Sequence, residues 1–411
     1  MTVDDTSDGR APDPGEHPDA GGTTQQESPT PPFWRRALDS LKVPVLAVFS
    51  ALVVGALLIM FTDEDVLYAW ARFFNDPLRA LERSATTVWE AYSALLDGAV
   101  GSPAAISESL LRATPLILAG LAVAFAFKAA LFNIGANGQM IMGAMFAAWA
   151  GFSLDIPGPL VILASLVVGT LAGAVWGGIA GVLKATTGAH EVITTIMLNF
   201  IAGFLLAYAL TTDAFLPSGT GNPVSKPILD QARLPRFISG ERVDLGIFLA
   251  LGAVLLIWWV LERSTFGFQV KAVGLNPHAA RYAGMKVATI TALTMAIAGG
   301  LAGLGGATIP IGPTGTLTAG IIGFLGFDAI AVALLGKSNP FGVLAAGLLF
   351  GALNAGAVTM QAETQIPVDI VIVIQALIIL FVAAPALVRA IYRVRTGDAE
   401  SPLFTSSWGS G

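Results

Sequence analysis

Of the 411 residues, 55% are hydrophobic and only 12% are charged, about half the roughly 25% charge of an ordinary soluble domain. With a mean hydropathy of +0.73, this excludes a soluble enzyme and a basic nucleic-acid binder, and it predicts a membrane-embedded chain. The net charge of -6 comes from one end: residues 1–32 carry seven acidic side chains and one Arg, leaving 21 of each sign elsewhere.

Those first 32 residues contain six prolines among Asp, Gly, Ser and Thr, with no apolar period. They cannot bury enough surface to offset the entropy of ordering, so residues 1–40 are expected to form a disordered, acidic, cytoplasmic tail. No basic start leads directly into an apolar core and a cleavage site, so no secretory signal is expected. With no cysteine there is no disulfide, thiol nucleophile or Cys-ligated metal. His17, His190 and His278 lie too far apart to suggest a metal site.

A helix needs about 20 apolar residues to cross a bilayer. Ten such runs lie between charged positions, at 43–61, 113–127, 129–154, 159–183, 192–212, 245–261, 287–311, 317–336, 341–358 and 370–388. The expected fold is all-α and polytopic, with about ten transmembrane helices in a domain over 41–395 and a flexible cytoplasmic tail over 396–411. An even number of spans returns both termini to one side. With the amino terminus inside, the inner face collects Arg35, Arg36, Lys42, Lys128, Lys184, Arg263, Lys271, Arg281, Lys286, Lys337, Arg389, Arg393 and Arg395. The short outer loops then hold no Lys or Arg, as the positive-inside rule requires, and 62–112 and 213–243 become long outer segments.

Within the fourth run, Gly169, Gly173, Gly177 and Gly181 recur four apart, and Gly347 and Gly351 repeat that spacing. Small residues on one face let helix backbones approach closely where lipid gives no hydrophobic drive, so helix packing is their expected role.

An energy source is not visible on this chain. Gly336-Lys337-Ser338 resembles the end of a phosphate-binding loop, but the glycine required five residues earlier is Ala331. The interior of the spans holds one acid, Asp328, without a basic partner nearby in sequence, whereas ion-coupled carriers keep paired titratable groups there. Coupling to a separate ATP-hydrolysing protein is expected, with no catalytic residue, metal or cofactor here.

The polar groups inside the spans are mostly neutral amides: Asn133, Asn137, Gln139, Asn199, Asn354 and Gln375. They suit an uncharged polar solute, and they equally suit hydrogen bonds between helices. The cluster Phe132-Asn133-Ile134-Gly135-Ala136-Asn137-Gly138-Gln139 interrupts an otherwise apolar region. A helix broken at membrane depth, of the kind that forms transporter sites, and a cytoplasmic turn are both open readings. Trp149 and Phe200 are candidate stacking surfaces for a flat solute.

The longest inner loop contains a compact helix signal. Asn276 can cap it, Pro277 fits its first position and Gly284 can end it, with Gly274, Ala280 and Arg281 in the same stretch. A short, stiff helix outside the membrane reads as a docking element.

This loop, with Phe132 to Gln139 and Glu191-Val192-Ile193-Thr194-Thr195-Ile196-Met197-Leu198-Asn199, resembles the permease subunits of bacterial nucleoside and simple-sugar ABC importers, with branched-chain amino acid and ribose permeases as more distant relatives. The similarity covers roughly residues 40 to 395. It implies a permease in the bacterial cytoplasmic membrane that pairs with a second related permease, ATP-binding subunits carrying ATP and Mg, and an extracellular substrate-binding lipoprotein. Gly274, Asn276, Pro277, Ala280, Arg281 and Gly284 would form the ATPase coupling helix, and Asn133, Asn137, Gln139, Asn199, Trp149 and Phe200 would line the solute path. The chain departs from the nucleoside pattern at Asn137, where Glu is usual, and at His190, where Asn is usual; a heterodimer would place the acidic version on the partner. Nucleosides are the expected solute, with a simple sugar, a branched-chain amino acid or an ion-coupled carrier as alternatives.

Overall fold

The computed structural model describes residues 33–219, 221–384 and 391–392, without the side chains of 33–44 and 383. Residues 1–32 of the expected amino-terminal tail, the expected tail over 396–411, and Arg389, Arg393 and Arg395 lie outside the described residues, while 33–40 are helical and open α1. The chain forms two units, 1–42 and 43–411, and the second holds everything that follows.

All regular structure among the described residues is helical, with two isolated bridges. The helices are α1 (Phe33–Thr62), α2 (Glu64–Ala71), α3 (Pro77–Val100), α4 (Pro103–Lys128), α5 (Ala136–Ser153), α6 (Gly158–Thr187), α7 (Glu191–Ala209), α8 (Gly246–Arg263), α9 (Thr265–Leu275), α10 (Pro277–Tyr282), α11 (Val287–Ile309), α12 (Leu325–Leu335), α13 (Pro340–Thr364) and α14 (Asp369–Ala383). Seven are long and apolar enough to cross a membrane. Three more predicted runs fall on α5, which opens on polar Asn137 and Gln139, and on the shorter α12 and α14.

Two expectations about boundaries are corrected. The run at 113–127 is only part of α4, which begins at Pro103 behind the Ser102 cap, whose Oγ accepts the Ala105 N–H at 3.1 Å, and carries Glu108 and Arg112 paired one turn apart, Arg112 Nε to Glu108 Oε1 at 2.8 Å. Their mutual neutralisation lets the helix continue through two charges that a count of apolar residues treats as an end. The segment 62–112 is accordingly helical almost throughout, as α2, α3 and the first turns of α4.

The run at 317–336 is not one span. After α11 the chain takes a π turn at Pro310–Thr314, and Gly315 follows with φ +67°. Prolines 310 and 313 cannot donate backbone hydrogen bonds, so the helix ends there and α12 begins only at Leu325. With 11 residues α12 is ~16 Å long, about half a membrane thickness. The loop joining α7 to α8 satisfies the exposed backbone: Leu234, Ile228 and Ser225 donate their N–H groups to the carbonyls of Ile311, Gly315 and Leu317 at 2.7, 2.9 and 2.9 Å.

Helix α4 is central and buried over most of its length. Gly169, Gly173, Gly177 and Gly181 put the backbone of α6 against α11: a Cβ on Gly173 would lie 2.3 Å from the Gly299 carbonyl oxygen and 2.5 Å from the Gly303 Cα. Gly347 and Gly351 of α13 meet Ile117 and Ala113 of α4 in the same manner. Backbone cannot retreat from an added methyl as a side-chain tip can, so Gly173→Val is expected to destabilise the fold by about 3 kcal/mol or more. Thermal unfolding of the detergent-solubilised protein, compared with Gly252→Ala, where a Cβ meets nothing within 4 Å, measures it.

Candidate functional site

The amide cluster at 133–139 folds into a knot. Asn133 and Gln139 form a reciprocal pair: Asn133 Nδ2 donates to Gln139 Oε1 at 3.0 Å, and Gln139 Nε2 donates to Asn133 Oδ1 at 3.1 Å. Asn133 Oδ1 also accepts the Gly135 N–H at 3.1 Å. From α7, Asn199 Oδ1 accepts the Gly138 N–H at 2.8 Å and Asn199 Nδ2 donates to the Ile134 carbonyl at 2.9 Å. All four amides, Asn133, Asn137, Gln139 and Asn199, are buried. Their polarity is therefore largely spent on holding an irregular backbone in place.

The knot lies inside the helix bundle. It meets α7 at Thr195 and Asn199, and Asn199 is eight residues, ~12 Å, in from the start of that helix. Gln139 faces Gly177, ten residues, ~15 Å, from the end of α6. The break thus lies where α5, α6 and α7 pack together. The break at α5 meets the break before α12: Asn137 Oδ1 accepts the Gly326 N–H at 3.1 Å. Only glycine fits at 326, since a Cβ would lie 2.2 Å from the Asn137 nitrogen. Irregular backbone at this depth survives because protein groups satisfy it.

On the other side of the π turn lies a cavity of about 250 Å³. Its polar lining comes from Glu108 and Arg112 of α4, Asp244 of the α7–α8 loop, Thr308 and Thr314 around the π turn, and Asn354 of α13. Glu108 binds two cations, Arg112 at 2.8 Å and Arg242 at 3.0 Å, and Ser107 Oγ accepts the N–H groups of Arg242 and Val243 at 3.0 and 2.7 Å. The loop is thus pinned to α4. Asp244 is only 4% exposed, and its Oδ1 accepts the Gly246 N–H at 2.8 Å. Burial pushes its carboxyl up to about 6, against the opposing pull of the Gly246 N–H and the Arg236 charge. Sequence reasoning missed Asp244, Thr308 and Thr314. The signal was present in Pro310-Ile311-Gly312-Pro313-Thr314-Gly315, which breaks an apolar run with two prolines and two glycines.

Trp149 and Phe200 do not join the amides. Trp149 lines a separate apolar pocket of about 330 Å³ with Phe146, Tyr208 and Phe215, between α5 and α7, while Phe200 is exposed elsewhere on α7.

The loop between α8 and α11 contains the short helix α10. Asn276 Oδ1 accepts the N–H groups of His278 and Ala279 at 3.0 Å each, Pro277 opens the helix, Ala280 is buried, and Gly284 leaves it with φ +82°. Arg281 is exposed, and Leu275 and Tyr282 are 88% and 94% exposed at its two ends. Gly274 packs on the Lys128 carbonyl, where a Cβ would lie at 2.3 Å, so this loop abuts the end of α4 from which the chain enters the knot.

Residues 105–383 match the family described as the permease component of branched-chain amino acid transport systems. The chain belongs to this family. The permease is 37% identical over 86% of its length to the guanosine ABC transporter permease protein NupP of Bacillus subtilis, covering 96% of that protein. It is 36% identical over 74% of its length to the nucleoside ABC transporter permease protein NupB of Lactococcus lactis subsp. cremoris, covering 85% of it. It is also 34% identical over 82% of its length to the glucose ABC transporter permease protein TsgB13 of Haloferax volcanii, covering 86% of it. The first two organisms each supply a weaker relative as well, NupQ at 28% and NupC at 27% identity. The permease is thus a non-enzymatic subunit and a multi-pass protein of the cytoplasmic membrane.

Proposed function

We propose that this permease forms half of the translocation path of an ATP-driven nucleoside importer, paired with a second, related permease, two ATP-binding subunits that carry ATP and Mg, and an extracellular binding lipoprotein. The observation that carries the solute is the similarity over 86% of the chain to a guanosine permease; neutral amides and hydroxyls at both helix breaks are compatible with an uncharged polar solute. The pairs NupP with NupQ and NupB with NupC support a heterodimer. A sugar permease is the second reading, favoured by the glucose relative.

In this reading both termini are cytoplasmic, α10 is the coupling helix, and closure of the ATP-binding subunits displaces it. Equilibria between inward-open and outward-open states follow from differential binding of ATP and solute. The amides Asn133, Asn137, Gln139 and Asn199 shape the path by positioning the half-helix α12, and Trp149 and Phe200 supply flat apolar surface.

Proteoliposomes containing the full complex test this. Labelled guanosine should accumulate only with ATP and the binding protein present, and glucose should accumulate at least tenfold more slowly. The permease alone should neither hydrolyse ATP nor accumulate solute under a proton or sodium gradient. Gradient-driven accumulation by the lone chain, or ATP-driven glucose uptake without guanosine uptake, would remove the nucleoside-importer assignment.

A further inference from the structure

We propose that the cavity beside the π turn is a station for the hydroxylated sugar ring of the solute, with the Asp244 carboxylate accepting hydrogen bonds from vicinal hydroxyl groups. The inference rests on the nucleoside-importer reading and deepens it. A free carboxylate offers about four acceptor positions, and one of them is filled by the Gly246 N–H. No ion pair reaches Asp244 among the described residues, because the two arginines of the cavity wall, Arg112 and Arg242, are both held by Glu108. Arg236 acts on it only as an exposed charge. The carboxylate is thus itself buried while it lines a cavity, with acceptor capacity remaining, and a hydroxyl donor gains more at such a buried acceptor than at one in bulk water.

The neighbouring polar groups complete a set suited to a polyol. Thr308 donates its hydroxyl proton to the Gly305 carbonyl at 2.8 Å and Thr314 donates to the Ile309 carbonyl at 3.0 Å, so both oxygens remain as acceptors. Asn354 Oδ1 is engaged by Gln375 Nε2 at 2.8 Å, which leaves the Asn354 amide hydrogens as donors. Hydroxyl acceptors, the Asn354 amide donors and one carboxylate outside the Glu108–Arg112–Arg242 ion-pair network match a neutral ring that presents several hydroxyl protons. Among the described residues no aromatic ring lines the cavity to stack on a purine face, and its apolar wall is aliphatic. The three relatives named above are permeases for guanosine, nucleosides and glucose. The chemistry common to those solutes is the hydroxylated ring, since glucose has no base. The position is also apt, since the cavity opens at the break between α11 and α12, where discontinuous helices hold solutes in other transporters.

The test uses the assembled importer with its binding protein in proteoliposomes, comparing guanosine with 2′,3′-dideoxyguanosine. Asp244→Asn keeps an oxygen for the Gly246 N–H but removes the charge. Loss of one charge-assisted hydrogen bond predicts about a tenfold fall in guanosine uptake, with less than a twofold change for the dideoxy compound. An equal fall for both assigns Asp244 to loop capping alone and overturns the inference, as does no fall for either. A variant that fails to assemble is replaced by a measurement on the parent importer. The ratio of guanosine to dideoxyguanosine uptake, corrected for the binding protein's own affinities, should rise several-fold from pH 5 to pH 7 as Asp244 ionises, with Glu108, Arg112 and Arg242 the other charged groups lining the cavity and Arg236 an exposed charge acting on Asp244 from outside it; a flat ratio overturns it. A parent importer that accumulates no nucleoside refutes the solute reading before any variant is made.

Discussion

Arg281→Glu combined with Tyr282→Asp is expected to reduce uptake by the assembled importer at least a hundredfold while the permease remains folded and inserted. Both side chains project from α10 without covering other parts of the protein, Tyr282 at 94% exposure, so their loss leaves no cavity. Exposed Tyr and Arg are the residue types that dominate docking surfaces, where a single central one often contributes 2 kcal/mol or more, about 30-fold in affinity. The helix is suited to transmit a push because both ends are fixed, by the Asn276 cap and by the left-handed Gly284. Its neighbour Gly274 bears on the Lys128 carbonyl, from which the chain runs directly into the knot that holds α12. Three readouts separate the accounts: uptake, ATP hydrolysis stimulated by the binding protein, and the thermal midpoint of the permease. Docking predicts that the first two collapse together with the third unchanged. Parental uptake in the double variant removes α10 from the coupling path, and a matching fall in thermal midpoint assigns it to stability.

The features legible in the sequence share one property: each is a local pattern. Apolar runs gave the helices because a span must satisfy its own backbone. The Gly169 to Gly181 series gave a close helix contact because a four-residue spacing lies on one face. Asn276, Pro277 and Gly284 marked α10 because caps act within a turn. What escaped depends on partners distant in the chain. Glu108 and Arg112 looked like the end of a helix until their pairing was seen, and Arg242, over a hundred residues away, completes that network. The amides read equally as solute ligands or structural bonds, because Asn199 lies 61 residues from Gly138 and Asn137 lies 189 from Gly326. Asp244 drew no attention in the sequence, since nothing near it announces that the α7–α8 loop folds back onto the π turn. The runs parted at 312–316, but the irregular stretch 317–324 was masked by hydropathy: Leu317, Ile321, Ile322 and Phe324 are apolar enough to extend a run whose helix begins only at Leu325.

Asn199→Ala is expected to have the second large effect, and one of a different kind. The substitution strips two buried partners at once, the acceptor of the Gly138 N–H and the donor to the Ile134 carbonyl. Each buried group left unsatisfied costs about 1–3 kcal/mol, so the knot should lose about 2–6 kcal/mol, a large part of the about 5–15 kcal/mol that usually holds a domain together. Because the knot sets where α12 begins, through Asn137 and Gly326, uptake should fall in the same proportion for guanosine, its dideoxy analogue and glucose if that is carried. That pattern contrasts with the selective loss expected at Asp244. Thermal unfolding of the purified permease alongside uptake of the three solutes decides the matter. A parental midpoint with a loss confined to one solute would return Asn199 to the path as a direct ligand; a lowered midpoint with uniform loss fixes it as the bond that keeps a broken helix in register inside the membrane.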